Sequence, residues 1–303
     1  MTEVLSTNGN GTRTGMPLPE PLALIHQPGH PRAAQTAPTV SLVIPVRNEA
    51  RNIAWVLEQI ADEVNEIILV DGNSTDATLI TARSYRPDIK VVTQEGVGKG
   101  SALRTGFLAA SGDIIVMMDA DGSMAPQEIR HYLHFLANGY DFVKGSRFIG
   151  GGGSLDITRF RRMGNRFLLG VFNSLYGSEL TDLCYGFCAF HRRYLDLLEL
   201  TATGFEIEAE MTVRAMQAGL RIAEVPSLEM PRRAGKSNLR AIRDGKRVLS
   251  TVVGGRRRPL DVEAMSRVQH RTRSNHIAPR LPYRVVRPSI NIHLLERTEP
   301  WHS

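Results

Sequence analysis

Four short apolar runs, each followed by a segment of helical period, fill residues 40–118 and leave few folds open. The runs are "VSLVIPV" (40–46), "EIILVDG" (66–72), "IKVVTQ" (89–94) and "DIIVMMD" (113–119). Between the first two, "EARNIAWVLEQIA" (49–61) brings Ile53, Val56, Leu57 and Ile60 onto one helical face. Residues 76–85 and 100–111 read as the next two helices. Apolar runs this continuous belong to strands buried on both faces, and strand–helix–strand spacing of this length implies crossovers. The expectation is an α/β protein with a mostly parallel sheet and helices on both faces. Such sheets bind ligands beyond the carboxyl ends of their strands. Those ends carry Pro45–Glu49, Asp71–Asp76, Gln94–Gly100 and Asp119–Ser123, so polar residues gather where a site belongs.

The flanks differ in composition. Residues 1–38 are rich in Thr, Gly, Pro and Asn, which bury too little apolar surface to offset the entropy of ordering; a disordered leader is expected. From "GGRRRP" (254–259) onward, Arg, Pro and His are scattered without a sustained period, and residues 254–303 read as a basic, largely disordered tail. The folded domain is then 39–253. Two cysteines, Cys184 and Cys188, are too few for a disulfide framework and read as reduced, buried thiols of a cytosolic protein. No window reaches the roughly 18 apolar residues of a spanning helix. The expected location is cytoplasmic, either free or peripheral on the inner face of the membrane.

A net charge of +6 favours anionic partners such as nucleotides, phosphates and lipid head groups. Nucleic acid is not expected, because aromatics make up only 6% of the chain and do not interleave with the tail arginines.

At the fourth strand's tip, Asp119 and Asp121 stand one residue apart, and Gly122 follows. Carboxylates so placed can approach one hard cation such as Mg²⁺ or Mn²⁺, leaving its other positions to water and substrate phosphate. They also suit a turn that opens the next helix, with Pro126 in its first turn. "DGNSTDAT" (71–78) offers Asp71 either to turn chemistry or to a nucleoside. "GVGKGSALRTG" (96–106) runs into a helix carrying Lys99 and Arg104, a combination suited to phosphate, although its spacing is not that of a Walker loop.

As a set, "VIPVRNE", "VDGNSTDAT", "GKGSALRTG" and "MDADGS" resemble family 2 glycosyltransferases of the GT-A fold, a Rossmann-like architecture. "VKGSRF" (143–148), "RRMGN" (161–165), "DLCYGF" (182–187), "GFEIEAEMTVRA" (204–215) and "GKSNL" (235–239) are similar to the dolichyl- or polyprenyl-phosphate mannosyltransferase branch. The similarity covers roughly residues 39–252. It implies that Pro45, Glu49 and Asp71 hold the nucleoside of a donor such as GDP-mannose or UDP-glucose, with Gly98, Lys99 and Gly100 beside it. It implies a divalent ion on Asp119 and Asp121, bridging the donor diphosphate. Relatives often carry Gln where this chain has Ser123.

The resemblance also implies an inverting, in-line displacement. A phosphate acceptor is mostly dianionic at neutral pH and needs cations rather than a base. Arg147 is the expected grip on that phosphate, since a guanidinium fork matches its geometry. Ser146, Arg162, Asn165, Arg233 and Lys236 are further acceptor candidates, and Arg232 belongs to the same cationic cluster. Asp182 is the candidate base for an alcohol acceptor, or a positioning group if the acceptor is a phosphate; a structural hydrogen bond explains it equally well. Glu206 and Glu210, four apart on one helical face, either contact the donor sugar's hydroxyls, the favoured reading, or pair with Arg214 and its neighbours. The glycine run in "FIGGGGSLD" (148–156) suits a closing loop or a plain connection.

"NLRAIRDGKRVLSTVV" (238–253) is a basic amphipathic helix whose apolar stripe either packs on the domain, the favoured reading, or meets a membrane surface. Two rivals to a polyprenyl-phosphate acceptor stay open: the same donor chemistry on a soluble acceptor, and a non-catalytic nucleotide-sugar binder.

Overall fold

The structure, a computed structural model, describes residues 37–256 and 285–286. Leader residues 1–36 and most of the basic tail therefore lie outside the described residues. Strands β1 (Val40–Val46), β2 (Glu66–Asp71), β3 (Lys90–Thr93) and β4 (Ile114–Met117) alternate with helices α1 (Ile53–Glu58), α2 (Thr78–Tyr85) and α3 (Lys99–Ala109). A 3₁₀ turn over Pro126–Glu128 leads to α4 (Ile129–Ala137), β5 (Phe142–Ser146), β6 (Gly153–Ser154), α5 (Arg159–Tyr176) and β7 (Cys188–His191). The remainder is α6 (Leu195–Leu198), α7 (Ile207–Gln217), β8 (Ile222–Pro226), β9 (Leu228–Glu229), α8 (Ala241–Gly255) and β10 (Val285–Val286).

The main sheet has the order β10-β8-β5-β7-β4-β1-β2-β3, and β6 pairs with β9 in a small second sheet. β1, β2, β3 and β4 are mutually parallel where they pair, as are β5 and β8; β7 runs antiparallel between β4 and β5. With the reversed β7 between them, β4 and β5 point the same way. The carboxyl ends of β1, β2, β4, β5 and β8 therefore share one edge, and the start of β7 joins them there.

Alternation within the apolar runs divides the core in two. Val43, Ile115 and Met117 face one cluster with Leu103, Phe107 and Met211, whereas Leu42, Ile44 and Val116 face the other with Val56, Leu57 and Phe135. Phe107 meets Phe190 edge to face, with ring centroids 5.4 Å apart, an arrangement worth about 1 kcal/mol beyond its area burial.

α1 is shorter than its periodic stretch. Residues 47–50 are tied sideways instead: the Asn48 N–H donates to Ser74 Oγ, the Glu49 N–H to Thr78 Oγ1, and Asn48 takes a left-handed φ of 57°. The loop after β1 is thereby fixed to the loop after β2. α5 starts where the Thr158 hydroxyl accepts from the Arg161 N–H, and ends at Gly177, whose left-handed φ of 61° closes the helix. Val285–Val286, within the segment read as tail, adds an antiparallel edge strand to β8. No helix among the described residues is long and apolar enough to cross a membrane.

Candidate active site

β4 delivers the two carboxylates. Its ladder runs on through the Met118 N–H, which donates to the Val43 carbonyl, and the chain then turns at Gly122 with a φ of 76°. The Ser123 N–H donates to Asp121 Oδ1 at 3.0 Å, so the turn holds one carboxylate while both line a cavity of about 610 Å³. Lys99, in the first turn of α3, stands 2.6 Å from Asp119 and 2.8 Å from Glu208. Arg232, beyond β9, bridges Glu49 at 2.7 Å and Asp121 at 3.0 Å.

Charge at this floor is unbalanced. Four carboxylates, Glu49, Asp119, Asp121 and Glu208, share two cations. Burial pushes the Asp119 carboxyl up to about 6 against the pull of Lys99, and the neighbouring Asp121 and Glu208 charges add to the rise. Burial works against the Lys99 charge, yet Asp119 and Glu208 outweigh it and hold the ammonium protonated. A divalent cation would offset the excess negative charge. Among the described residues no cluster of three or more His, Cys, Asp or Glu forms a complete metal cage. The donor set is therefore two carboxylates with Ser123 beside them, which fits an ion whose other ligands are water and substrate oxygens.

The nucleoside candidates separate into two groups. Pro45, Glu49, Gly98 and Lys99 line the cavity, together with Arg47 and Gln94. Asp71 does not: it is buried and accepts from the Ser74 N–H at 3.0 Å, the contact that the turn reading expects. Gly100 is also off the wall, packed on the 202–203 backbone, where a Cβ would lie 2.5 Å from the Ala202 carbonyl oxygen. Its part is to let α3 approach that loop.

Asp182 corrects the base reading. It is fully buried and accepts from Arg147 Nε at 2.7 Å, from Arg147 Nη2 at 3.0 Å and from Asn165 Nδ2 at 3.2 Å. A carboxylate so enclosed orients Arg147 and meets no solvent or substrate. Arg147 itself lines the cavity, but its Nη1 also donates to both Glu229 oxygens at 3.2 Å, so it is a fixed cation rather than a free arm. Its charge is held firmly: Asp182 and Glu229 outweigh the desolvation that opposes it.

Of the other acceptor candidates, Asn165 reaches the cavity. Ser146 is buried against the Thr181 hydroxyl, Arg162 stacks over Phe148, and Arg233 lies 4.4 Å from the Trp55 ring; none of these lines the cavity, and neither does Lys236.

Of the two readings of Glu206 and Glu210, the site-facing one is corrected. Glu206 pairs with Arg247 and accepts from the Thr203 and Gly204 N–H groups, while Glu210 accepts from the Thr201 and Ala202 N–H groups. Both fasten the loop before α7. Glu208, on the opposite side of that helix, is the one in the cavity. Tyr185 and Glu229 likewise carry no local sequence signal, since their partners lie far along the chain.

Away from the carboxylates the cavity runs between α5 and α8. Phe160, Phe167 and Leu168 form one wall, and Ile242, Val248 and Leu249 the other, with Arg161 and Lys246 among them. Val248 and Val252 of α8 are buried on the domain, as the favoured reading of residues 238–253 required, whereas Ile242 is 68% exposed. Cys184 and Cys188 are free, and burial pushes both thiols up to about 12.

A mostly parallel sheet covered on both faces, with a carboxylate pair at its carboxyl edge, places the molecule among the GT-A glycosyltransferases. Solved structures agree: glucosyl-3-phosphoglycerate synthase from Mycobacterium tuberculosis, in complex with Mn²⁺, UDP and phosphoglyceric acid, is 26% identical. That match covers 74% of this chain and 80% of the other, with a TM-score of 0.58. The chain belongs to glycosyl transferase family 2, whose sequence model matches residues 41–198. It is 35% identical to glycosyltransferase AglJ of Haloferax volcanii, over 69% of each chain. It is 31% identical to the undecaprenyl-phosphate mannosyltransferase of Micrococcus luteus, over 66% of this chain and 87% of that one. The protein is thus a glycosyl-transferring enzyme near the polyprenyl-phosphate mannosyltransferases.

Proposed function

We propose that the protein moves a hexose from a nucleoside-diphosphate sugar, GDP-mannose or UDP-glucose in type, to a polyprenyl phosphate, and that the transfer depends on Mg²⁺ or Mn²⁺. One observation carries the reading: a single cavity joins the Asp119–Asp121 floor to apolar walls on α5 and α8. A donor diphosphate suits the first end and a lipid chain the second. The undecaprenyl-phosphate mannosyltransferase among its relatives supports this acceptor, while the phosphoglyceric acid in the structural neighbour keeps a soluble acceptor as the rival.

Asp119 and Asp121 would hold the divalent ion, which supplies positive charge to the leaving diphosphate when bound. Lys99 and Arg232 offer further donors beside it. The acceptor phosphate, already anionic, attacks the anomeric carbon in line as the bond to the diphosphate breaks, inverting its configuration. No base is required, in keeping with the enclosed Asp182. Arg147, oriented by Asp182, and Arg161 and Lys246 on the cavity wall are the cations that would position the attacking oxygen.

The test is a donor panel with Mg²⁺, Mn²⁺ or chelator, offered a short water-soluble polyprenyl phosphate or phosphoglyceric acid. Metal-dependent transfer to the polyprenyl phosphate, lost in Asp119→Ala with the fold intact by circular dichroism, is expected. Transfer to phosphoglyceric acid alone would replace the acceptor reading, and full activity in Asp119→Ala would remove the metal assignment.

A further inference from the structure

The apolar end of the cavity opens on a face that the core does not cover. On α5, Phe160, Met163 and Phe167 follow a spacing of three and four and are 57%, 66% and 62% exposed. Arg159, Arg162 and Arg166 repeat that spacing one residue earlier and form an exposed row beside them. α8 adds exposed Ile242, Arg243 and Lys246. A depression bordered by Phe160, Arg240, Ile242, Arg243 and Lys246 adjoins the main cavity, and Phe160 and Ile242 line both.

α5 already buries Leu168 and Phe172 on the domain, so its outward aromatic row is a second apolar stripe. Exposed apolar rows rimmed by charge mark surfaces that meet a membrane or a partner.

We propose that this face docks on an anionic bilayer surface. Phe160, Met163, Phe167 and Ile242 enter the head-group boundary, and Arg159, Arg162, Arg166 and Arg243 meet the lipid phosphates. Charge decides between a bilayer and a second copy of the chain. Among the described residues none of those four cations has a carboxylate partner, so two such faces would repel one another. The nearby Asp156 is already paired with Arg161, and Asp244 is buried, accepting from the Arg240 N–H. Docking in this orientation sets the gap between Phe160 and Ile242 against the lipid head groups. An acceptor phosphate then reaches the cavity without its chain crossing water. The inference rests on the polyprenyl-phosphate reading for what passes through the gap, and on the surface alone for the docking.

The experiment is flotation of the full chain with phosphatidylglycerol-containing vesicles and with pure phosphatidylcholine vesicles. The wild type is compared with the triple variant Arg159→Gln/Met163→Ser/Arg166→Gln, whose residues lie outside the cavity wall. Wild-type binding to the anionic vesicles is expected to exceed binding to the neutral ones at least about tenfold and to weaken with salt. The triple variant is expected to lose most of that binding and of transfer to vesicle-embedded acceptor, while transfer to a short water-soluble polyprenyl phosphate stays unchanged. A charge-only pair, Arg166→Gln/Arg243→Gln, should weaken binding in the same direction if the triple variant folds poorly.

Equal vesicle binding by wild type and variants would overturn the inference and assign attachment to residues elsewhere in the chain. Absence of wild-type binding, or a dimer by mass photometry that the triple variant abolishes, would overturn it too. Vesicle binding that behaves as expected, without transfer to any polyprenyl phosphate, would leave the docking standing and remove the acceptor reading.

Discussion

Lys99 and Asp119 form a 2.6 Å ion pair on the cavity floor, joining the first turn of α3 to the tip of β4. The same ammonium reaches Glu208 on α7, so one cation ties three elements together around the point where a donor diphosphate would lie. Gly186 packs against this knot: a Cβ there would lie 2.9 Å from the Lys99 nitrogen.

Lys99→Met keeps the bulk of the stem and removes the charge. Asp119 then loses the neighbour that lowers its proton affinity, and its carboxyl should rise further above 6. Loss of one such preorganised donor costs about 10² to 10³ in rate. The expected result is a fall of that size in kcat/KM for the donor, together with a lower Tm, because Asp119 and Glu208 lose the cation held between them. Steady-state kinetics within threefold of wild type would show that Lys99 serves packing alone.

Asp182→Asn tests whether that side chain orients Arg147. The Arg147 side chain is only 4% exposed and that of Asp182 not at all, so the substitution strands a buried guanidinium. Removing one partner of such a pair costs about 3–5 kcal/mol. Urea denaturation should show a loss near the lower end, because Glu229 still accepts from Nη1. The double variant Asp182→Asn/Arg147→Met should recover part of it. A base would behave differently, with unchanged stability and a pH–rate profile that loses one limb.

Gly98→Ala addresses the turn before α3. Gly98 has a φ of 102°, and a Cβ there would lie 2.4 Å from the Thr203 carbonyl oxygen. Strained conformations of this kind cost about 1–3 kcal/mol each. Because Lys99 is the next residue, the turn should shift the ammonium as it relaxes. We expect a lower Tm together with a raised KM for the donor, measured on the same preparation; unchanged KM would mean that the 202–204 loop yields instead.

The legibility of this chain follows the distance between partners. The strands, the sheet class and the carboxylates at the tip of β4 were readable because each is written in a few consecutive residues. Sequence marks both Arg147 and Asp182, the first as an acceptor grip and the second as a base, a positioning group or a structural hydrogen bond, without showing that they meet. Their pairing spans 35 positions, and the Glu229 contact spans 82. No local pattern encodes either. Glu206 and Glu210 do share a helical face, as the spacing says, but spacing cannot tell which face meets the cavity. α7 begins at Ile207 and is buried almost all round, so polarity gives no direction and does not mark Glu208. "DGNS" suits turn and ligand alike, and the Ser74 N–H shows that the turn contact at Asp71 is made.

His191, at the end of β7, supplies the pH dependence of stability. Burial lowers its proton affinity most, and the nearby Arg193 adds to that, outweighing the opposing pull of Asp141; the result is an imidazole titrating at about 4 instead of 6.5. The folded state therefore stays neutral where the unfolded chain already binds a proton. Between pH 6.5 and 4 the unfolded state gains protons that the native state lacks, so stability falls as pH falls through that window and is unaffected above it. Partial solvent contact reduces the effect, to about 1–2 kcal/mol between pH 7 and pH 5. His191→Asn removes the titration. Urea midpoints of wild type and variant should therefore converge as the pH is lowered from 7 to 5, the wild type losing the advantage that a neutral, packed imidazole gives it. Parallel midpoint curves across that range would mean that His191 titrates normally in the folded protein.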